Sequence, residues 1–205
     1  MVVQIKPQVT PTVALPTKPW PPPQGEWTYD DFLRLEDDGW RYEVIRGELY
    51  MTHPPSERHQ FTSMNLSVAF YTFVKSHKLG RVYTAPFGVI LGDIATPVQP
   101  DIVFVAAERL ATVVTEDGLR GAPDLIVEIL SPSNWLTDRR AKFELYQEAG
   151  VREYWLVNPK TCVAEVYVLR YGEFTLLERW GAGEVARSEV LAGFQVALNE
   201  VCGME

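Results

Sequence analysis

Three charged residues stand where the surrounding pattern is apolar, and each could do chemistry. Asp101 opens the run Ile102-Val103-Phe104-Val105 directly after Pro100. Glu128 sits inside Asp124-Leu125-Ile126-Val127-Glu128-Ile129-Leu130, the most hydrophobic strand pattern of the chain. Lys142 lies in the helical pattern that follows. An ionised carboxylate buried without a partner is costly, so Glu128 needs a cation, a hydrogen-bond network or a strand end open to water. Otherwise it faces outward on an edge strand or pairs with an arginine. Asp101 and Glu128 on neighbouring strands could supply oxygen ligands to Mg²⁺, which takes one or two carboxylates plus water and substrate phosphate. Such a cation polarises a phosphate and lowers the pKa of a bound water. An acid pair alone is common and decides nothing. Asp138, Lys142, Leu145 and Tyr146 share one helical stripe, which turns Lys142 toward an apolar, inward side rather than leaving it an exposed helix lysine.

Other candidates are weaker on spacing. His59 lies near the start of a long helical pattern; it could touch substrate or move a proton near neutral pH, and it also fits a structural histidine. Arg139 and Arg140 adjoin Lys142, with Arg152 close by. They read either as a basic, substrate-binding patch or as a solvated helix face. Asp124 follows Pro123 as Asp101 follows Pro100, and it shares a strand face with Glu128 at i+4. Asp101 is preferred, because pairing of two strands brings it beside Glu128.

These residues need a scaffold of mixed type. Thr28 can cap a short helix. Tyr42 to Ile45 and Glu48 to Met51 flank Arg46-Gly47 as a hairpin, with Gly47 suited to a positive φ. Ser56 to Leu79 reads as one long helix, ended by Gly80, with Phe61, Met64, Leu66, Val68, Phe70, Tyr71 and Val74 at roughly helical spacing. Strand patterns cover 82–91, 101–105, 124–130 and 153–157, followed by two more at 162–169 and 173–180 joined through Tyr171-Gly172. A helix over about 137–149, capped by Ser133 or Thr137, ends at Gly150. The fold class is therefore mixed α/β (α+β), a central sheet flanked by helices with extra C-terminal strands. Residues 1–26 hold seven of the 15 prolines and are expected to form an arm outside a single domain of residues 27–205.

Composition narrows the function. The chain is 205 residues long, 46% hydrophobic and 22% charged, which is ordinary globular composition and excludes fibrous or disordered classes. Its formal charge of −8 provides no general attraction to phosphate polymers, so binding to nucleic acid needs a local basic patch or a cation. Cys162 and Cys202 form no zinc ladder; they fit a reducing cytosol, with one disulfide left open. No span or leader pattern is seen, and the expected location is cytoplasmic. There is no Walker loop, no G-x-G-x-x-G and no G-x-S-x-G elbow.

Several ordered motifs resemble a known group. Tyr42-Glu43-Val44-Ile45-Arg46-Gly47-Glu48-Leu49, Ser56 with His59, Pro100 to Val105, and Gly121 to Ser133 continue into Asp138, Lys142, Tyr146, Gly150-Val151, Glu153-Tyr154-Trp155 and Pro159. Together they resemble a family of small endonucleases, long catalogued as of unknown function, within the PD-(D/E)XK superfamily. The resemblance implies a restriction-endonuclease-like fold and a Mg²⁺-dependent endonuclease acting on DNA, with Mn²⁺ able to substitute. Asp101 and Glu128 would be the metal ligands, Lys142 the catalytic lysine and Glu43 the extra acid many members place near the metal. Glu43 also fits a plain exposed strand residue. One departure stands out. The superfamily puts lysine two residues after the second acid, where this chain has Leu130; in the family resembled the lysine has moved to the next helix. Two alternatives remain: a catalytically inactive binding or assembly module, and a metal-dependent hydrolase of another phosphoester. DNA is the expected partner, no membrane is, and a homodimer is one assembly such a domain could form. Lys142→Met is expected to fold normally yet lose cleavage on the order of 10²-fold, while Lys160→Met should change little.

Overall fold

In chain order the elements are α1 (Tyr29–Phe32), β1 (Arg41–Ile45), β2 (Glu48–Thr52), α2 (Glu57–His77), β3 (Gly80–Thr84), β4 (Val89–Ile90), β5 (Ile102–Ala106), α3 (Leu110–Val113), β6 (Val114–Thr115), β7 (Gly118–Arg120), β8 (Leu125–Ile129), α4 (Phe143–Ala149), β9 (Glu153–Asn158), β10 (Val163–Arg170), β11 (Glu173–Trp180), β12 (Val185–Arg187), β13 (Gln195–Ala197) and α5 (Leu198–Cys202). They are those of a computed structural model that describes residues 20–36, 38–52, 54–131 and 138–203, with only the backbone at 138 and 139. Ser133, Trp135, Thr137 and residues 1–19 of the expected arm lie outside the described residues.

The central sheet has six strands in the order β11-β10-β9-β8-β5-β3. β8 and β9 run parallel and the other pairs antiparallel, so the sheet is mixed. Period-2 alternation gives it two dry faces. Ile102, Phe104, Leu125, Val127 and Ile129 face one core together with Leu66, Phe70 and Val74 of α2. Val103, Val105 and Ile126 face the other, with Leu145 and Tyr146 of α4. Strands buried on both faces must be apolar nearly throughout, which is why β5 and β8 read as continuous hydrophobic runs.

The turns follow local chemistry. Thr28 Oγ1 caps α1 by accepting from Asp31 N, and Asp31 Oδ2 in turn accepts from Thr28 N at 3.1 Å, a capping box. Arg46 (φ 52°) and Gly47 (φ 76°) form a two-residue hairpin turn, and a Cβ at Gly47 would lie 2.4 Å from Gly25 O. Tyr171 and Gly172 make the same kind of turn between β10 and β11.

Some expectations are corrected. The strand expected over 82–91 breaks after Thr84, and Val89–Ile90 joins a separate small sheet with β7. Pro86 lacks the N–H a ladder needs. Lys78, not Gly80, takes the left-handed position that ends α2; Gly80 begins β3. Helix α4 is preceded by a π-helical turn over Asp138–Lys142. Residues 20–26, expected with the arm, hold the hairpin: Gln24 bonds both N and O of Leu49, at 2.7 and 3.0 Å, and Gly25 N and Trp27 N donate to Gly47 O. Cys162 and Cys202 form a disulfide that ties α5 to the start of β10. Among the described residues no helix is long and apolar enough to cross a membrane.

Candidate active site

The β5–β8 register pairs Ile102 with Val127, Val103 with Ile126 and Phe104 with Leu125. One step further places Asp101 across from Glu128, on the α4 side of the sheet. Both side chains line one small pocket of about 30 Å³ with Arg41, Glu43, His59 and Lys142. That volume is about one water, so the pocket holds polar groups in close order rather than an open ligand cavity.

Each group reaches the pocket for a local reason. Glu43 is carried by β1 and accepts from Gln99 N at 2.7 Å. The segment before Asp101 runs beside β1, with Val44 N donating to Pro97 O and Thr96 N to Val44 O, so the hairpin and Asp101 share one brace. His59 lies in the first turn of α2, and Ser56 Oγ accepts from its N–H at 3.3 Å. Lys142, the last residue of the π-helical turn, lines the pocket, and Tyr146, one turn further on in α4, reaches Glu128.

The charges interlock. Lys142 Nζ donates to Glu128 Oε1 at 3.0 Å and lies 3.0 Å from Glu43 Oε2. Tyr146 OH donates to the same Glu128 oxygen at 2.6 Å. Burial pushes the Tyr146 phenol well above its usual range, and the negative charges of Glu128 and Glu43 push it further, so it remains a donor. Asp101 Oδ2 accepts from Ile129 N at 2.8 Å and lies 3.2 Å from His59 Nε2; Arg41 Nη1 is 3.3 Å from Oδ1. Burial raises the Asp101 carboxyl, but His59, Arg41 and the Ile129 N–H together hold it below its ordinary value. Burial likewise opposes charge on Arg41, and Asp101, Glu43 and Glu128 outweigh it. Glu43, Asp101, Glu128 and Lys142 are each 3% exposed. Three acids therefore face Arg41, Lys142 and His59 in near exclusion of water.

The structure brings five of the expected site residues together: Glu43, His59, Asp101, Glu128 and Lys142. It does not bring Arg140, which projects outward and pairs with Glu144 at 3.5 Å, one turn along the helix. The Arg139 side chain lies outside the described residues. Asp124 is at the far end of β8, held by Ala106 N, Arg109 and Arg152, and does not line the pocket. Arg152, weighed for the basic patch, is spent there. Two residues that contact the site acids were not singled out from sequence. Arg41 shares a strand face with Glu43 at i+2, a period that could have found it; Tyr146 lay on the Lys142 stripe and was read as packing. A groove beside the pocket is lined by Ser56, Arg58, Ser131 and Lys160, so Lys160 is near the site rather than a remote control position.

The donor set fits a hard divalent cation. Two carboxylates from neighbouring strand ends present only oxygen, and the inner nitrogen of His59, Nδ1, is buried without a protein partner among the described residues. Among the described residues no three His, Cys, Asp or Glu side chains form a ready cage, so water and substrate would complete the shell.

A six-stranded mixed sheet with two acids at adjacent strand ends, and a lysine returning from the following helix, has the nuclease architecture of the restriction-endonuclease-like class. The chain belongs to the family Uma2, described as "Putative restriction endonuclease", whose profile matches residues 29–199. The fold is similar to that of a solved structure from Anabaena variabilis described as a putative nuclease belonging to DUF820. The TM-score is 0.71 at 20% identity, over 87% of this chain and 98% of that one. No curated protein matches.

Proposed function

We propose that the protein is a divalent-metal-dependent endonuclease that hydrolyses phosphodiester bonds in DNA. The observation that carries this is the buried pair Asp101 and Glu128, opposed across two strands and contacted by the cations of Arg41 and Lys142. With His59 neutral, three acids face the cations of Arg41 and Lys142, and that excess of negative charge suits a further cation. Asp101 and Glu128 would hold Mg²⁺, or Mn²⁺ in its place, and the ion would supply Lewis acidity and an acidified water. Lys142 has the reach to leave Glu43 for a phosphate oxygen, because its charge rides on a flexible four-carbon stem. Once Lys142 moves, Tyr146 still donates to Glu128 and fixes its orientation. His59, braced against Asp101, is positioned to accept or return a proton through Nδ1. Arg58 and Lys160 in the adjoining groove meet the need of an acidic chain for local positive charge along a nucleic-acid backbone.

The test is cleavage of plasmid DNA and of a labelled single strand, with EDTA, Mg²⁺ or Mn²⁺. We expect metal-dependent cleavage in wild type and a loss of about 10³-fold or more in Glu128→Gln, the scale of removing an essential charge. Metal-dependent binding without cleavage would instead mark an inactive binding module. Hydrolysis of small phosphoesters alone would mark a different phosphoesterase.

A further inference from the structure

We infer that the outer face of α2 is a self-association surface, on which a second copy of this chain packs antiparallel about a two-fold axis. This rests on the surface of the helix and not on the chemistry of the pocket.

Helix α2 carries two apolar stripes. One, with Leu66, Phe70 and Val74, is buried against the sheet. The other is exposed: Phe61 45%, Met64 64%, Val68 56% and Tyr71 52%. Its spacing is +3, +4, +3, a heptad seam. Extending it by four residues each way reaches Glu57 at one end and Lys75 at the other, both exposed. Between residues 60 and 74 the helix has no Asp, Glu, Lys or Arg at all. An ordinary solvated helix face is charged, whereas depletion of charge around a row of large apolar side chains is what interface centres show.

The stripe is complementary to itself in one orientation. Two copies packed antiparallel about an axis between Met64 and Val68 place Met64 against the partner's Val68. The next layer places Phe61 against the partner's Tyr71, and the last places Glu57 against the partner's Lys75. Each layer joins the two seam positions that face one another in an antiparallel pair. A parallel pair would instead set Glu57 against Glu57 and Lys75 against Lys75, which like charges oppose. Lys75 is already held on this face, its Nζ donating to Tyr71 OH at 3.0 Å. A symmetric contact of this kind closes on itself and stops at two copies.

Size sets the strength. The helix has 21 residues, so the seam is about 31 Å long and roughly 10 Å wide. That is about 310 Å² of footprint on each copy and roughly 600 Å² in total, the size of a weak, reversible contact.

The test is sedimentation equilibrium of the full chain over about 1 to 300 µM, the range in which a weak dimer dissociates. We expect a monomer–dimer equilibrium. Met64→Glu places a carboxylate in both central layers and should weaken it at least about 30-fold, with the helical circular dichroism unchanged because the position is exposed. Glu57→Lys and Lys75→Glu should each weaken it about three- to tenfold, and the double exchange should return it to near wild type, because the pair is then restored with its signs reversed. A monomer at every concentration overturns the inference, and so does a dimer indifferent to Met64→Glu. Failure of the double exchange to rescue overturns the antiparallel register. If Met64→Glu does not fold, the charge exchange decides alone. None of these readouts uses cleavage, so the inference and the proposed activity fail separately.

Discussion

Lys142→Met tests whether the ammonium is what allows two acids to lie buried side by side. In the folded protein Nζ is 3.0 Å from oxygens of both Glu43 and Glu128. At an effective dielectric of about 20, each contact is worth about 5 kcal/mol of gross attraction, most of it offset by desolvation. Removing one partner from such a buried set leaves the other charges uncompensated and costs about 3–5 kcal/mol. For a chain of 205 residues, where 1 kcal/mol moves Tm by about 2–4 °C, the melting temperature should fall by about 10 °C. The variant is still expected to fold, but with the acids left uncompensated it should be less stable than wild type. The assay is calorimetry at pH 7 in EDTA, repeated with Mg²⁺ or Mn²⁺. On the proposed function a divalent ion would take over the neutralising role, so it should raise Tm more in Lys142→Met than in wild type, where it would have to displace the ammonium. At 100 times Kd the gain from binding is about 2.7 kcal/mol. An unchanged Tm in EDTA, or an equal metal response in both proteins, would refute the reasoning.

Other outcomes follow from the same geometry. Tyr146→Phe removes the 2.6 Å bond to Glu128 and keeps the ring, so it should cost about 1–2 kcal/mol in urea unfolding. Asp101 is held below its ordinary value of 3.8, so its ionisation stabilises the fold fully above about pH 4, and that stability is lost as pH falls through the depressed folded value. The stability gap between wild type and Asp101→Asn, followed by thermal melting, should therefore narrow below pH 4. Cys162 and Cys202 are 40 residues apart, so reduction or Cys202→Ser should lower the unfolding free energy by about 3–4 kcal/mol. Reductant should then shift the urea midpoint in wild type only.

What could be read from sequence follows from how local the physics is. β8 announced itself because a strand covered on both faces must be apolar nearly throughout, which made Glu128 conspicuous. Asp101 was found by the same contrast, and the helical stripe placed Lys142 and Tyr146 on one side of their helix. Arg41 was missed because its partner Asp101 is 60 residues away and only the fold brings them together. Arg140 was overvalued because two residues of separation from Lys142 put it about 200° around the helix, on nearly the opposite side. The strand expected over 82–91 failed at Pro86, a local signal that the apolar residues around it outweighed. The two stripes of α2 merged into one apolar pattern in the sequence, since spacing alone does not say which stripe meets the sheet.

The central claim is that Asp101 and Glu128 share a divalent ion, and anomalous diffraction from a crystal soaked in Mn²⁺ tests it most directly. The account predicts one strong peak within about 2.0–2.3 Å of carboxylate oxygens of both residues, with Lys142 Nζ moved off Glu128. A saturated soak with no peak at these residues, and Lys142 still bridging Glu43 and Glu128, would contradict it.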